Sequence, residues 1–159
     1  MRATIVVFAA VAGAALVGCK SQTDGTKSVS PNCTTNKCEV KITVDGDCHN
    51  EANIKVDPPT LGIDKNNHGN DNHGPEIHFD IGTDHYTFAS LQTGVVFNTA
   101  PVPPPDEFTP INLAEQGKKL IMKDLNSPTA TPQTYKYTVN LLFNGQACAG
   151  KDPFIVNGN

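Results

Sequence analysis

The chain has no tryptophan and a single arginine, Arg2, and its aromatic residues make up only 6% of the total. One arginine and no clustered basic stripe exclude the electrostatic footprint that a nucleic-acid binder needs. From Cys19 onward eleven Lys face sixteen Asp plus Glu, a net charge near −5. Catalytic signatures are missing as well: there is no Gly-x-Ser-x-Gly, no His-Glu-x-x-His, no phosphate-binding loop and no dinucleotide fingerprint. Ser90 and Ser127 lack any patterned partner. Asp106 and Glu107 are adjacent carboxylates in a Pro-rich stretch, where they read as solubilising groups and not as an acid/base pair. No enzyme activity is expected. Thirteen Gly and twelve Pro, with no long helical pattern, point to many turns between short elements.

The one long apolar run opens the chain. Arg2 forms a short positive region, and Ile5, Val6, Val7 and Phe8 lead through small residues to Leu16, Val17, Gly18 and Cys19. About sixteen apolar residues behind a cation are a secretory pattern, slightly short for a membrane span. Leu16-Val17-Gly18-Cys19 resembles the lipobox of bacterial lipoproteins. The resemblance implies that residues 1–18 are a signal peptide removed by a dedicated peptidase. It also implies that Cys19 carries a diacylglyceryl group, and that its new amine is acylated, with palmitate-like chains. At about 0.8 kcal/mol per buried methylene, three chains anchor a protein firmly where one would not. Lys20, rather than Asp, in second position implies sorting by way of the periplasm to the outer membrane of a Gram-negative envelope. Residues 19–32 are polar and rich in Ser, Thr and Gly. They read as a flexible tether reaching on the order of 20 Å, with a single domain at 33–159.

Setting Cys19 aside leaves Cys33, Cys38, Cys48 and Cys148, an even number in an oxidising compartment, so two disulfides are the default. Of the three possible pairings, Cys33 with Cys38 and Cys48 with Cys148 is favoured. The first closes a small loop where the tether enters the domain; the second joins Gly-marked turns at Asp45-Gly46-Asp47 and Asn144-Gly145-Gln146. Cys33-x4-Cys38 does not have zinc-ribbon spacing, and Cys148 has no nearby thiol.

From residue 38 the apolar positions alternate with period two, the signature of strands. Val40, Ile42 and Val44 share one face; Ile54 and Val56, then Leu61 and Ile63, follow. Glu76 to Ile81 places His78 on the solvent side with Glu76 and Asp80. Tyr86 and Phe88 come next, then Val95 to Phe97. Pro101 to Pro110 reads as an extended surface crossing. A turn near Asn112 to Gly117 is the one helix candidate. Lys119 to Asp124 points Leu120 and Met122 inward, and Tyr135 to Phe143 reads as a central strand with Tyr135, Tyr137, Val139, Leu141 and Phe143 on one face. Phe154 to Val156 closes the chain. The pattern predicts an all-β domain, an antiparallel two-sheet β-sandwich of roughly seven to nine short strands. Its element order resembles immunoglobulin-like and cupredoxin-like envelope domains.

The histidines are the strongest local signal. All lie between residues 49 and 85, and His68, His73, His78 and His85, with Asp71, could supply imidazole and carboxylate ligands to zinc or copper. Nothing rigid preorganises His68 and His73, and a hydrophilic loop is the plainer reading. Asp64 to Gly69 imitates an EF-hand start, but position five is His68 and position twelve is Pro75. A blue-copper centre is excluded because no histidine follows Cys148. The expected role is a membrane-anchored, non-catalytic binding or structural module of the bacterial envelope without a cofactor, meeting a protein or glycan partner. A metal-binding or metal-delivery lipoprotein using the loop at 64–85 is the alternative.

Overall fold

A computed structural model of the chain describes residues 33–67, 74–127 and 131–158. The signal segment, Cys19 and the tether, together with His68, Asp71 and His73, lie outside the described residues. The chain is mostly β. Its strands are β1 (Lys37–Val44), β2 (Ile54–Asp57), β3 (Thr60–Gly62), β4 (Glu76–Ile81), β5 (Tyr86–Phe88), β6 (Val95–Val96), β7 (Phe108–Ala114), β8 (Lys119–Asp124), β9 (Gln133–Lys136), β10 (Thr138–Val139), β11 (Leu141–Phe143), β12 (Gln146–Ala147) and β13 (Phe154–Asn157). Single 3-10 turns occupy Glu51–Asn53 and Glu115–Gly117, and among the described residues no helix is long and apolar enough to cross a membrane.

The largest sheet has the order β2-β1-β4-β8-β7, and three small sheets run β10-β6, β12-β11-β5 and β3-β13-β9. The sheets are not purely antiparallel, as the sequence led us to expect. β1 and β4 pair in parallel, and so do β3 and β13. Alternation of apolar side chains states which face a strand buries and is silent on its direction, so β2, β3 and the loop beyond can return the chain to its starting end unannounced. The faces themselves follow the alternation. Cys38, Val40, Ile42, Val44, Ile54, Val56, Ile77, Phe79, Ile81, Leu120 and Met122 are buried in the large sheet. Leu61, Ile63, Tyr86, Phe88, Val95, Tyr137, Val139, Leu141 and Ile155 are buried in the remainder and join the same core. Phe79 meets Tyr137 edge to face at 5.6 Å.

Three other expectations change, the first being the count: thirteen short strands are described where seven to nine were expected. The run Tyr135 to Phe143 keeps one buried face but is not a single central strand: β9 pairs with β13, β10 with β6, and β11 with β5 and β12. The strands beside it are short, and at Pro153 and Lys151 the pairing reduces to isolated bonds, Tyr137 N–H to the Pro153 carbonyl and a Val139–Lys151 bridge. The Pro-rich crossing in fact feeds a strand. β7 begins at Phe108 and among the described residues pairs only with β8, so it is an edge, and the register shifts between Pro110 and Asn112. An edge with a bulge is where a sheet tolerates a residue without an N–H. Asn112 to Ala114 therefore extend β7, and only Glu115–Gly117 turn.

The disulfides join Cys33 to Cys38 and Cys48 to Cys148, with Cα separations of 5.2 and 5.1 Å. The first ties the entering chain, whose Cys33 N–H donates to the Gly62 carbonyl, onto β1. The second fastens the turn after β1 to the end of β12, where Ala149 N–H donates to the Cys48 carbonyl at 2.9 Å.

Candidate functional site

The alternation that buries Leu120 and Met122 also carries Asp124 inward, and the one that buries Ile155 carries Asn157 inward. Both side chains are essentially without exposure, at 0% and 1%. Glu107, in the segment ahead of β7, joins them at 1%. Its carboxylate was expected to be solubilising; it is instead enclosed, because Leu125 N–H donates to its carbonyl and folds the segment over the end of β8.

A single carboxamide links the two acids. Asn157 Nδ2 donates to Glu107 Oε1 and to Asp124 Oδ1, each at 2.9 Å. Ser127 completes the shell of Glu107, its N–H donating to Oε1 at 3.0 Å and its hydroxyl to Oε2 at 2.6 Å. Asn126 N–H donates to Asp124 Oδ1 at 2.9 Å. The Asn126 amide then reaches the carbonyls of Asp64 and Asn67, while its oxygen accepts from Gly158 N–H. Asn67 is itself buried and donates to the carbonyls of Cys33 and Thr35. The network thus gathers the entry of the domain, the loop after β3, the end of β8 and the C-terminal strand.

Burial is the largest influence on Asp124 and pushes its carboxyl up to about 7, against the hydrogen bonds from Asn126 and Asn157 and with the Glu107 charge adding to the rise. Tyr135 is pushed up by burial and then by the charges of Glu107 and Asp124. A buried carboxyl of this kind can hold or release a proton near neutrality, whereas hydrolysis would also need a reacting group in reach of solvent.

Of the histidines, His49, His78 and His85 lie among the described residues, and these three do not assemble. His78 was expected on the solvent side and is buried, at 8% exposure. β4 is the middle strand of five, so the His78 ring lies between its register partners Glu39 and Ile121 and bonds Glu76 Oε2 at 3.0 Å. Salt bridges surround it: Lys37 with Glu39 at 2.6 Å, and Lys119 with Asp80 at 3.0 Å and Glu115 at 3.5 Å. The hydrogen bond and charge of Lys37 hold the Glu39 carboxyl below its ordinary value. Ion pairs this close to solvent contribute little, so Lys119→Met should cost about 1 kcal/mol or less in urea unfolding. A loss of several kcal/mol would mean that this face is covered in the native protein.

His85 stands past the end of β4, exposed, in a shallow depression of about 330 Å³ with Tyr86, Thr87, Gln116, Lys118, Asn144 and Gly145. His85, Gln116 and Asn144 all have positive φ there, at 68°, 56° and 49°. Among the described residues one trio, Asp47, Cys48 and His49, brings potential metal ligand atoms within 4.8 Å of one another. The disulfide occupies Cys48, which leaves an exposed pair in which the His49 ring meets Asp47 at 2.8 Å. No protein-family model matches the chain, and no curated protein matches it in sequence.

Proposed function

We propose that the protein is a lipid-anchored lipoprotein of the bacterial envelope, held at the outer membrane through Cys19, whose β domain acts as a non-catalytic binding or structural module. The observation that carries this reading is the pairing of cysteines. Two disulfides use Cys33, Cys38, Cys48 and Cys148, which suits an exported protein, and they account for every cysteine of the sequence except that of the lipobox. We read the domain as a two-layer sandwich, the five-stranded sheet against the small sheets, on the strength of the Phe79–Tyr137 contact and the shared core. The turns that line the depression at His85, Gln116 and Asn144 belong to three separate parts of the chain and offer amide, imidazole and ammonium groups to a protein or glycan.

Metabolic labelling with an alkyne analogue of palmitate in a Gram-negative host tests the anchor. The wild-type chain should take up label and fractionate with outer membranes, and Cys19→Ala should remain unlabelled and uncleaved by the lipoprotein peptidase. Equal labelling of the two chains, or none in the wild type, would remove the anchor from this reading.

A further inference from the structure

We propose that Asp124 and Asn157 form a proton-operated latch, a carboxylic acid closed head to head on a carboxamide, which ties the C-terminal strand to the five-stranded sheet and loosens as the proton leaves. The geometry supplies half of this pair outright. Asn157 Nδ2 has two protons, and both are spent, one on Asp124 Oδ1 and one on Glu107 Oε1. Left over are Asp124 Oδ2 and Asn157 Oδ1, buried acceptors with no hydrogen-bond partner among the described residues. They belong to the two groups that are already bonded to each other. One proton on Asp124 Oδ2, donated to Asn157 Oδ1, satisfies both atoms at once, where an ionised carboxylate would leave both orphaned at a penalty that buried polar groups rarely bear.

The proton belongs on Asp124 and not on Glu107. Both Glu107 oxygens already accept hydrogen bonds, from Ser127 N–H, the Ser127 hydroxyl and Asn157, so its shell is that of an anion. Two buried carboxylates bridged by one amide repel each other when both are charged, and a single shared charge is the stable arrangement. The groups that face Asp124 are few. Glu107 comes from the segment before β7, and Tyr135 comes from β9 with its phenol pushed up by burial. β13 contributes the neutral Asn157, and the loop after β3 contributes the Asp64 carbonyl through Asn126. Lys123 and Leu125 flank Asp124 along the chain, with Lys123 on the opposite face of β8. The charge acting on Asp124 from within the described residues is that of Glu107.

The direction of the pH effect follows. Burial raises the folded-state pKa of Asp124 to about 7, above its value in the unfolded chain. The stabilisation is complete below the unfolded value of about 4, shrinks as pH rises between the two, and is gone once pH has passed the folded value. Through that window the folding equilibrium should weaken about tenfold per pH unit relative to a chain that lacks the titration. Asp124→Asn is such a chain, because its Nδ2 makes permanently the bond that Oδ2–H makes in the wild type.

The test compares the two full-length chains, purified in mild detergent, in urea unfolding from pH 4 to 8.5. Groups outside the cluster are common to both chains, so their contributions cancel in the difference. Expected is a wild-type stability that declines relative to Asp124→Asn from pH 4 to 7 and then runs parallel to it. An aspartate side-chain carboxyl should also titrate near neutrality in carbon-13 spectra of the wild type, and that measurement decides by itself if the variant does not fold. Parallel curves throughout, or every aspartate titrating below pH 5, would overturn the latch. So would calcium or magnesium raising the midpoint of the wild type but not of the variant at pH 8, since a metal ion would then occupy the place assigned to the proton.

Discussion

With Cys48 and Cys148 both replaced by alanine, the domain should lose about 4 to 5 kcal/mol of unfolding free energy, the value that loop-closure entropy assigns to a bridge spanning some 100 residues. A domain of this size has a total of about 5 to 15 kcal/mol, so the loss removes between roughly a third and nearly all of it. The same reasoning gives the five-residue span between Cys33 and Cys38 about 2 kcal/mol, because the cost of closing a loop grows only with the logarithm of its length. Other contacts join the same two segments: Ala149 N–H donates to the Cys48 carbonyl, and Lys151 meets Glu51 at 3.3 Å. These contacts lie in the folded state and do nothing to restrict the unfolded chain, which is where the bridge acts. Urea unfolding of the two double-alanine variants, each against wild type, measures both values. Equal losses, or a larger loss for the short bridge, would contradict the assignment of the long bridge as the main covalent brace.

Much of this architecture can be read before any coordinate is known. Alternation places Val40, Ile42 and Val44, then Ile54 and Val56, then Leu120 and Met122 on the buried face, and each of them is there. What alternation does not encode is the partner. The parallel pairing of β1 with β4 depends on where the intervening loop returns the chain, and the division of 135–143 among three sheets depends on neighbours whose own strands are short. The polar cluster divides in the same way. Asp124 and Asn157 were not singled out from the sequence, although each falls on the inward parity of its own strand, because a polar residue at a strand end reads at first as a solvated terminus. Glu107 lacked even that signal. Nothing in Pro-Pro-Asp-Glu-Phe distinguishes a carboxylate in solvent from one folded under Ser127 and Asn157, because its donors lie twenty and fifty residues further along the chain. His78 belongs with Glu107. An outward parity was read as exposure, and the central place of β4 in a five-stranded sheet covers the ring.

Gly74 carries the most severe steric constraint among the described glycines, and Gly74→Ala should destabilise the domain by about 4 kcal/mol or more, enough to prevent folding in a marginal background. Its φ is +76°, a conformation that costs an L-residue roughly 1–2 kcal/mol by itself. The remainder comes from contact. A β-carbon there would stand 1.6 Å from the Asp124 carbonyl oxygen and 2.7 Å from its carbon. Both are backbone atoms at the end of β8, so no side chain can swing aside, and the two segments must part. Parting them breaks the bond from Asp124 N–H to the Pro75 carbonyl at 3.0 Å and moves the residue on which the polar cluster is built. Gly145 provides the control, with φ at +81° and nothing within 4 Å of the same position. Gly145→Ala therefore bears the conformational cost alone, about 1–2 kcal/mol. The two alanine variants share a backbone strain and differ only in what the methyl group meets, so their difference in urea unfolding isolates the contact between the residue 74–75 segment and β8. Equal losses at the two positions would mean that this approach is looser in the native protein than the described geometry requires, and that the seat of Asp124 is correspondingly open.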